Sequence, residues 1–218
     1  MMELQKARFN MIEQQIRTWD VLDQRVLDLL DQVPRENFVP ENYRNLAYAD
    51  ISIPLGHGQV MMLPKLEARV VQALDIQPGD RILEIGTGSG YLTALLASLG
   101  LHVESVEIFP DLLATAGETL ARHGITNVAL HAGDASRGWH KDDTFDAIVI
   151  TGATPILPDA FANALRRGGR LIAFVGLPPV IEATLITRTG GHEWAREAMF
   201  ETGLPMLVNA EQPPQFVF

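Results

Sequence analysis

The sequence lacks cysteine altogether, and it has neither a long apolar run nor a long run of basic side chains. The absence of cysteine excludes a disulfide framework, a thiol nucleophile and a thiolate metal site. A membrane-spanning helix needs about 18 or more consecutive apolar residues, so none is expected. Acidic residues outnumber basic ones by 27 to 17, and a net charge of −10 is unsuited to holding a nucleic-acid backbone. We therefore expect a cytoplasmic protein with neither a nucleic-acid nor a membrane partner.

Two patterns follow one another along the 218 residues, a length typical of one compact unit. Residues 1–78 combine helical periodicity with a long stretch over 38–64 that proline and glycine interrupt, and we expect a helical cap and a functional loop there. Residues 79–218 alternate short apolar runs with helical patterns, which is typical of a parallel sheet covered on both faces. Two β-rich runs after Gly176 predict an antiparallel hairpin.

The predicted fold class is α/β: a doubly wound, mostly parallel seven-stranded sheet with an antiparallel C-terminal hairpin and an N-terminal helical cap. The strands are expected at residues 81–85, 102–106, 127–131, 145–150, 170–175, 181–188 and 194–200. Between the fourth and fifth strands the pattern predicts a helix over residues 158–166, which Gly168 and Gly169 end. The six histidines are scattered without metal-ligand spacing, so no metal site is expected.

The most informative part of the sequence is a glycine-rich loop between the first predicted strand and a helix over residues 91–99. Gly86, Gly88 and Gly90 follow one another there in the spacing G-x-G-x-G. Glycine lets a backbone approach a ligand closely, and the free N–H groups at a helix start favour a negative ligand group. A dinucleotide fingerprint would read G-x-G-x-x-G, and no lysine follows in P-loop register. The spacing therefore disfavours a nicotinamide-dependent oxidoreductase and a nucleoside triphosphate-binding protein.

Three acidic residues accompany this loop. Glu84 comes two residues before the first glycine, Glu107 follows the second predicted strand, and Asp134 follows the third. A carboxylate at a strand end can accept hydrogen bonds from both hydroxyls of a ribose. A second carboxylate can accept from an adenine amino group. The carboxyl ends of parallel strands meet at one edge of the sheet, so these groups are predicted to converge on one adenosyl ligand.

Taken together, these residues and several strings before them resemble a known family. The chain is similar to the protein-L-isoaspartate O-methyltransferases, a group of the seven-stranded S-adenosylmethionine-dependent methyltransferases, over residues 8–176. The N-terminal strings are more diagnostic than the glycine loop, which all such methyltransferases share. They are Met11-Ile12-Glu13-Gln14, Val33-Pro34-Arg35, Phe38-Val39-Pro40, Leu46-Ala47-Tyr48 and Pro54-Leu55-Gly56-His57-Gly58-Gln59.

The resemblance implies an enzyme that transfers the methyl group of S-adenosylmethionine to the side-chain carboxylate of L-isoaspartyl or D-aspartyl residues in damaged proteins. It implies three residues beside the acceptor, namely His57, Gln59 and Met62. It also implies a set of residues that bind the cofactor: Glu84, Gly86, Thr87, Gly88, Ser89, Gly90, Glu107, Ile108, Asp134, Ala135 and Thr151.

The sequence departs from the family pattern beside the expected acceptor site. Met62 stands where the family places a serine or threonine hydroxyl, in Val60-Met61-Met62-Leu63-Pro64, and the segment over residues 200–218 lacks the usual Phe-Val-Pro ending. A thioether is at best a weak hydrogen-bond acceptor and cannot replace a hydroxyl donor. A methyltransferase of the same fold with a small-molecule acceptor therefore stays open as an alternative, and so does a non-catalytic cofactor-binding protein. The sequence makes no prediction of the oligomeric state.

Overall fold

The computed structural model describes residues 2–139 and 144–214, so the last four residues of the atypical C-terminal segment lie outside it. The chain begins with α1 (Met2–Met11), which continues through a π-helical turn, Ile12–Ile16, and a 3-10 turn, Arg17–Trp19. After a left-handed residue at Asp20, Asp23 caps the start of α2 (Gln24–Gln32), and its carboxylate accepts a hydrogen bond from the Arg25 N–H. These turns bury one apolar face and form the expected helical cap.

The stretch that the sequence predicts as a loop contains regular structure. Two 3-10 turns, Arg35–Asn37 and Glu41–Leu46, precede a hairpin of β1 (Ile53–Gly56) and β2 (Gln59–Met61). Gly56, His57 and Gly58 all have positive φ, at 104°, 52° and 72°, and this makes the reversal possible. Next, α3 (Pro64–Leu74) begins with proline at its first position, where the missing N–H costs nothing.

A seven-stranded sheet with flanking helices forms the rest of the protein and confirms the predicted fold class. The strand order is β5-β4-β3-β6-β7-β8-β9, with β3 to β7 parallel and β8 and β9 antiparallel. The elements are β3 (Arg81–Ile85), α4 (Tyr91–Leu99), β4 (His102–Glu107), α5 (Pro110–Arg122), β5 (Val128–Ala132), β6 (Phe145–Thr154), α6 (Asp159–Asn163), β7 (Leu165–Leu177), β8 (Val180–Arg188) and β9 (Trp194–Thr202).

The helix predicted over residues 158–166 is wrong beyond Asn163, because β7 already begins at Leu165. Leu165 is fully buried and pairs with Phe145, and the next paired residue, Arg170, lies opposite Ala147. Four residues of β7, 166–169, therefore lie opposite one residue of β6, Asp146, and form a bulge. Gly168 has a φ of +82°, and a Cβ at Gly169 would lie 2.9 Å from a backbone oxygen. The two glycines thus shape a bulge inside the strand instead of ending a helix.

Apolar side chains on both faces of the sheet hold these layers together. One cluster joins the N-terminal helices, α3 and α4 to one face, and a second packs Phe161, Trp139 and Trp194 on the other. The chain runs outward from β3 to β5 and then returns to β6 on the opposite side of β3. Ligands in such sheets bind at the carboxyl ends of the strands beside this reversal. Within the described ranges, no helix has the length and apolar character needed to cross a membrane.

Candidate functional site

The glycine loop leaves β3 at the point where the strand order reverses. Gly86, Gly88 and Gly90 all have positive φ, at 96°, 52° and 79°. A Cβ at Gly86 would lie 2.2 Å from the Thr151 hydroxyl oxygen, which itself lies 2.9 Å from the Ile85 and Gly86 carbonyl oxygens. The loop is therefore fastened to the end of β6 through Thr151 and has no room for a side chain at its first glycine.

Glu107 ends β4 and organises the loop beside it. Its Oε2 accepts a hydrogen bond from the Gly88 N–H at 2.9 Å, and its Oε1 accepts from the Phe109 N–H at 3.1 Å. Only 5% of the residue is exposed. A carboxylate has about four acceptor positions, so two backbone bonds leave capacity for a ligand's hydroxyl groups. The ribose-binding role of Glu107 stays a prediction.

Asp134 follows β5 and lies at the same edge of the sheet. One carboxylate oxygen accepts from the Ser136 N–H at 2.9 Å, and the other accepts from the Asn209 side-chain amide at 2.8 Å. Desolvation raises the pKa of Asp134, but these hydrogen bonds outweigh it and hold the pKa below its ordinary value. The side chain is therefore a stable anion, which suits an acceptor for an adenine amino group.

Glu84 lies beneath the loop, fully buried in β3. Its Oε2 accepts hydrogen bonds from Thr93 at 2.5 Å and from Ser105 at 2.6 Å, and Ser105 is in turn 2.6 Å from the Thr87 hydroxyl. Burial raises the pKa of Glu84 to about 8, against the lowering effect of the two hydroxyls. At neutral pH the group is therefore mostly a neutral acid that links the loop residue Thr87 to α4.

The β1–β2 hairpin and the C-terminal segment form the two sides of a cleft over the loop. Leu55 would touch a Cβ placed on Gly88 at 3.2 Å, which shows how closely the hairpin covers the loop. Opposite, Pro205 and Leu207 exchange backbone hydrogen bonds with Ala153 at the end of β6. The space between them is about 850 Å³ when the open solvent at its mouth is counted.

Most of the predicted site residues meet in this cleft. They are Gln59, Met62, Gly86, Thr87, Gly88, Ser89, Glu107, Ile108, Asp134, Ala135 and Thr151.

Three predicted site residues are not part of the cleft wall. Glu84 lies below it, and a Cβ on Gly90 would point away from it, toward Ala116 of α5. His57 lies at the hairpin tip, where its ring stacks on Phe109. Their assignment as cofactor or acceptor residues stays a prediction.

Several cleft residues have no counterpart in the sequence prediction. Pro205, Leu207 and Val208 line the cleft, and Asn209 binds Asp134. No local pattern marks these residues, because they reach the site only after β9 has returned the chain to the sheet edge. Glu67, Leu92 and Leu112 also line the cleft from helices. Their helical spacing predicts burial but gives no sign of a ligand.

The donor set suits an adenosyl ligand with a positively charged sulfur. Two carboxylates stand at neighbouring strand ends, and the backbone beside Gly86 and Gly88 carries no side chain that would fill the cradle. Apolar side chains, among them Ile85, Val106 and Leu207, offer surfaces for a purine ring. S-adenosylmethionine therefore fits the residues present: Glu107 would hold the ribose, Asp134 the adenine, and the glycine loop the methionine part.

Comparison with known proteins agrees with this geometry. The sequence profile of the family described as "Protein-L-isoaspartate(D-aspartate) O-methyltransferase" matches residues 6–199. A protein-L-isoaspartate O-methyltransferase of Methanoculleus marisnigri is 44% identical over 171 residues, which are 78% of this chain and 78% of that protein. Protein-L-isoaspartate O-methyltransferase 2 of Marinobacter nauticus is 37% identical over 213 residues, which cover 97% of each chain.

A solved structure supports the fold. A Plasmodium falciparum chain assigned to the protein-L-isoaspartate O-methyltransferases, in complex with S-adenosyl-L-homocysteine, superposes with a TM-score of 0.77 at 22% identity. The match covers 93% of the present chain and 97% of the other. The likeness therefore extends through the N-terminal cap and the C-terminal strands as well as the central sheet.

Proposed function

The present chain belongs to the protein-L-isoaspartate(D-aspartate) O-methyltransferase family, and we propose from that premise that it methylates the side-chain carboxylate of L-isoaspartyl or D-aspartyl residues in polypeptides with S-adenosylmethionine as the methyl donor. The observation that carries the proposal is the position of Glu107. Its carboxylate ends β4 and binds the backbone of the glycine loop at Gly88, inside the cleft.

The reaction demands little acid–base chemistry from the protein. Bound S-adenosylmethionine supplies a methyl carbon attached to a positively charged sulfur, which a carboxylate oxygen can attack directly. A β-carboxyl group has a reference pKa of about 3.9, so the acceptor is ionised at neutral pH and needs no general base. The protein's task is to align the acceptor and exclude water, which can be worth roughly 7–11 kcal/mol.

Each wall of the cleft has a part in this task. Glu107, Asp134 and the glycine loop hold and orient the adenosyl and methionine parts. Leu55 and Met61 on the hairpin, together with Leu207 opposite, exclude water from the reacting atoms. Gln59 lines the same cleft and carries a side-chain amide able to donate to an acceptor carboxylate. We therefore place the acceptor between the hairpin and the C-terminal segment.

One observation favours a second candidate, a small apolar acceptor. Met61 and Met62 are both buried, with 3% and 5% exposed, and both line the cleft where a hydroxyl would be expected. Flexible thioethers adapt to irregular apolar groups. The isoaspartyl acceptor remains the proposal, because the relatives that match most of the chain carry that activity in their names.

The test is methyl transfer from labelled S-adenosylmethionine to a peptide that contains one isoaspartyl residue. The same peptide with ordinary aspartate is the matched substrate control. We expect label in a base-labile ester on the isoaspartyl peptide alone. E107Q should weaken binding of S-adenosylhomocysteine by about tenfold or more, since a hydrogen bond to a charged group contributes about 1.5–3 kcal/mol. E118Q, on the exposed face of α5, is the control variant. Equal labelling of both peptides would contradict the proposal.

We also propose that the enzyme works in the cytoplasm. The chain contains no cysteine and so neither needs nor forms a disulfide, which fits a reducing compartment. Fractionation of the source cells with an antibody against the chain tests this location. Recovery in a compartment outside the cytoplasm would overturn it.

A further inference from the structure

Arg35 is a completely buried arginine beside the acceptor end of the cleft. Its guanidinium forms an ion pair with Glu67, which is only 2% exposed. One of its terminal nitrogens donates to the Met62 carbonyl oxygen at 2.6 Å, and its carbon lies 5.0 Å from the centre of the Tyr91 ring. Desolvation lowers the pKa of Arg35 to about 10, so the side chain stays charged at neutral pH.

These contacts connect four separate parts of the site. Arg35 lies in the turn after α2, Glu67 in the first turn of α3, Met62 just after β2, and Tyr91 at the start of α4 after the glycine loop. A buried ion pair is costly, because both charges lose their hydration. Well-packed apolar residues could join the same segments at lower cost. Stability alone therefore does not explain why a charged pair, Arg35 and Glu67, occupies this place.

The position of Glu67 supplies a reason. Besides binding Arg35, it lines the same cleft as Met61 and Met62. An acceptor carboxylate that enters this end of the cleft would be repelled by the negative charge of the buried Glu67, because like charges repel strongly where water is excluded. The Arg35 guanidinium neutralises that charge. Another of its N–H groups donates to the Met62 carbonyl oxygen and so holds the backbone there.

We propose that Arg35 is a positioning residue for the acceptor: it neutralises Glu67 in the cleft wall and holds the Met62 carbonyl, so that an anionic acceptor meets a fixed wall without net negative charge. This inference rests on the proposed function, because it concerns a carboxylate acceptor at the same site. It assigns Arg35 no contact with the reacting atoms.

The test uses R35M, E67Q and the double variant R35M/E67Q. The control is R81M, which removes an arginine paired with Glu104 at 3.0 Å at the far end of β3. Affinity for an isoaspartyl peptide is measured by calorimetry on protein saturated with S-adenosylhomocysteine, which requires no turnover. Affinity for S-adenosylhomocysteine, kcat, KM and thermal unfolding are measured alongside.

We expect R35M to weaken peptide binding and raise KM by about tenfold or more, with S-adenosylhomocysteine affinity within about twofold of the parent. E67Q should bind the peptide at least as tightly as the parent. The double variant should recover most of the lost peptide affinity, because the negative charge is gone, but not kcat, because Met62 is no longer held. R81M should change none of these values.

A merely structural role gives a different result. R35M and E67Q would then both lower the unfolding temperature and weaken both ligands together, and this outcome would overturn the inference. If a single variant fails to fold, the peptide affinity of the double variant tests the inference instead. Neutralising both partners of a buried pair leaves no isolated charge that would prevent folding. If the double variant binds peptide as poorly as R35M, charge neutralisation is wrong.

The outcome for the parent protein separates the two proposals. Peptide binding without methyl transfer would overturn the proposed reaction, and the variants would still judge the role of Arg35 through binding. Methyl transfer that R35M leaves unchanged would overturn the inference alone. Failure of the parent protein to bind or methylate the peptide, while it binds S-adenosylhomocysteine, would overturn both.

Discussion

The His57 imidazole lies flat against the Phe109 ring, with centroids 4.2 Å apart and 8° between the planes. Its Nε2 is 2.8 Å from a carboxylate oxygen of Asp111, in the first turn of α5. His57 is the tip of the β1–β2 hairpin, so these contacts fasten the hairpin to the helix that follows β4. These contacts make His57 an anchor for the hairpin that covers the cleft, and its role beside the acceptor stays a prediction.

Replacing His57 should loosen this anchor. The hydrogen bond from His57 is the main factor that holds the pKa of Asp111 below its ordinary value. We expect H57A to raise the pKa of Asp111 and to weaken S-adenosylhomocysteine binding by about threefold, since the pair is exposed. The pKa of Asp111 is read by NMR titration of its carboxyl carbon, and affinity is read by calorimetry.

The pH dependence of the same variant gives an internal check. A carboxylate whose pKa is lowered on folding stabilises the protein above its ordinary pKa, and this contribution is lost as the pH falls through the folded value. The stability difference between parent and H57A should therefore shrink below about pH 4. H57N is the control for the backbone, because asparagine tolerates the positive φ of this position. A difference of the same size at pH 7 and in strong acid would contradict the pairing, because the loss of the stacking on Phe109 does not depend on the protonation of Asp111.

Glu84 should make the stability of the protein fall as the pH rises. Burial raises its pKa from 4.5 to about 8, so the folded state favours the protonated form. Stability is then highest below the ordinary pKa and is lost progressively up to about pH 8. We expect E84Q, which mimics the neutral acid, to unfold with a free energy that changes much less between about pH 5 and pH 8. Denaturant unfolding at a series of pH values measures this.

The matched control for E84Q is E118Q, which alters an exposed glutamate on α5. Its stability should follow the pH dependence of the parent protein. Parallel curves for E84Q and the parent would mean that Glu84 is ionised in the folded state at neutral pH, and that the link from Glu84 through Ser105 to Thr87 carries a buried charge.

The sequence predicts where the strand-end residues of this cleft converge far better than how the segments that cover them fold. Glu107 and Asp134 follow parallel strands, and the sheet geometry brings such ends together whatever the rest of the chain does. The glycine loop is recognisable for the same reason, because the backbone conformation restricts the residue type locally. Strand alternation and turn residues therefore carry enough information for this convergence.

The acceptor side depends on contacts that no local pattern records. Residues 38–64 fold into turns and a hairpin between Arg35 and Glu67, which meet across 32 positions of sequence. The β7 bulge at Gly168 and Gly169 follows from the register with β6, whereas the local composition resembles a helix end. The C-terminal segment reaches the cleft by pairing with Ala153. Each depends on tertiary pairing, which overrides local propensity.

Asn209 should affect the hydrogen bond that we propose between Asp134 and the adenine amino group. Its amide donates to Asp134 at 2.8 Å, and the residue has a φ of +61°. N209D places a second carboxylate beside the first, and we expect S-adenosylhomocysteine affinity to fall by about tenfold, with a smaller loss in N209G. Glycine tolerates the positive φ of this position, so N209G measures the loss of the amide hydrogen bond without added backbone strain. Calorimetry measures both variants, and unchanged affinity in N209D would show that the two side chains separate when the ligand binds.

Met62 offers the sharpest test of the expected departure from the family pattern beside the acceptor. Its side chain is 5% exposed and lines the cleft, while its carbonyl is held by Arg35. M62S would restore a hydroxyl donor near the acceptor oxygen. We expect kcat/KM for an isoaspartyl peptide to rise by about tenfold, which corresponds to about 1.4 kcal/mol of transition-state stabilisation. Steady-state kinetics against the matched aspartyl peptide gives the answer.

The gain at Met62 should come with a loss of stability, because truncating a buried methionine leaves a cavity and typically costs about 2–5 kcal/mol. M62L is the matched control, since leucine preserves the volume without a polar group and should change the unfolding free energy by less than about 1.5 kcal/mol. If M62S lowers kcat/KM while M62L retains it, the acceptor binds better to an apolar cleft wall than to a hydroxyl. The hydroxyl would then be dispensable here, and the small apolar acceptor would become the better description of this cleft.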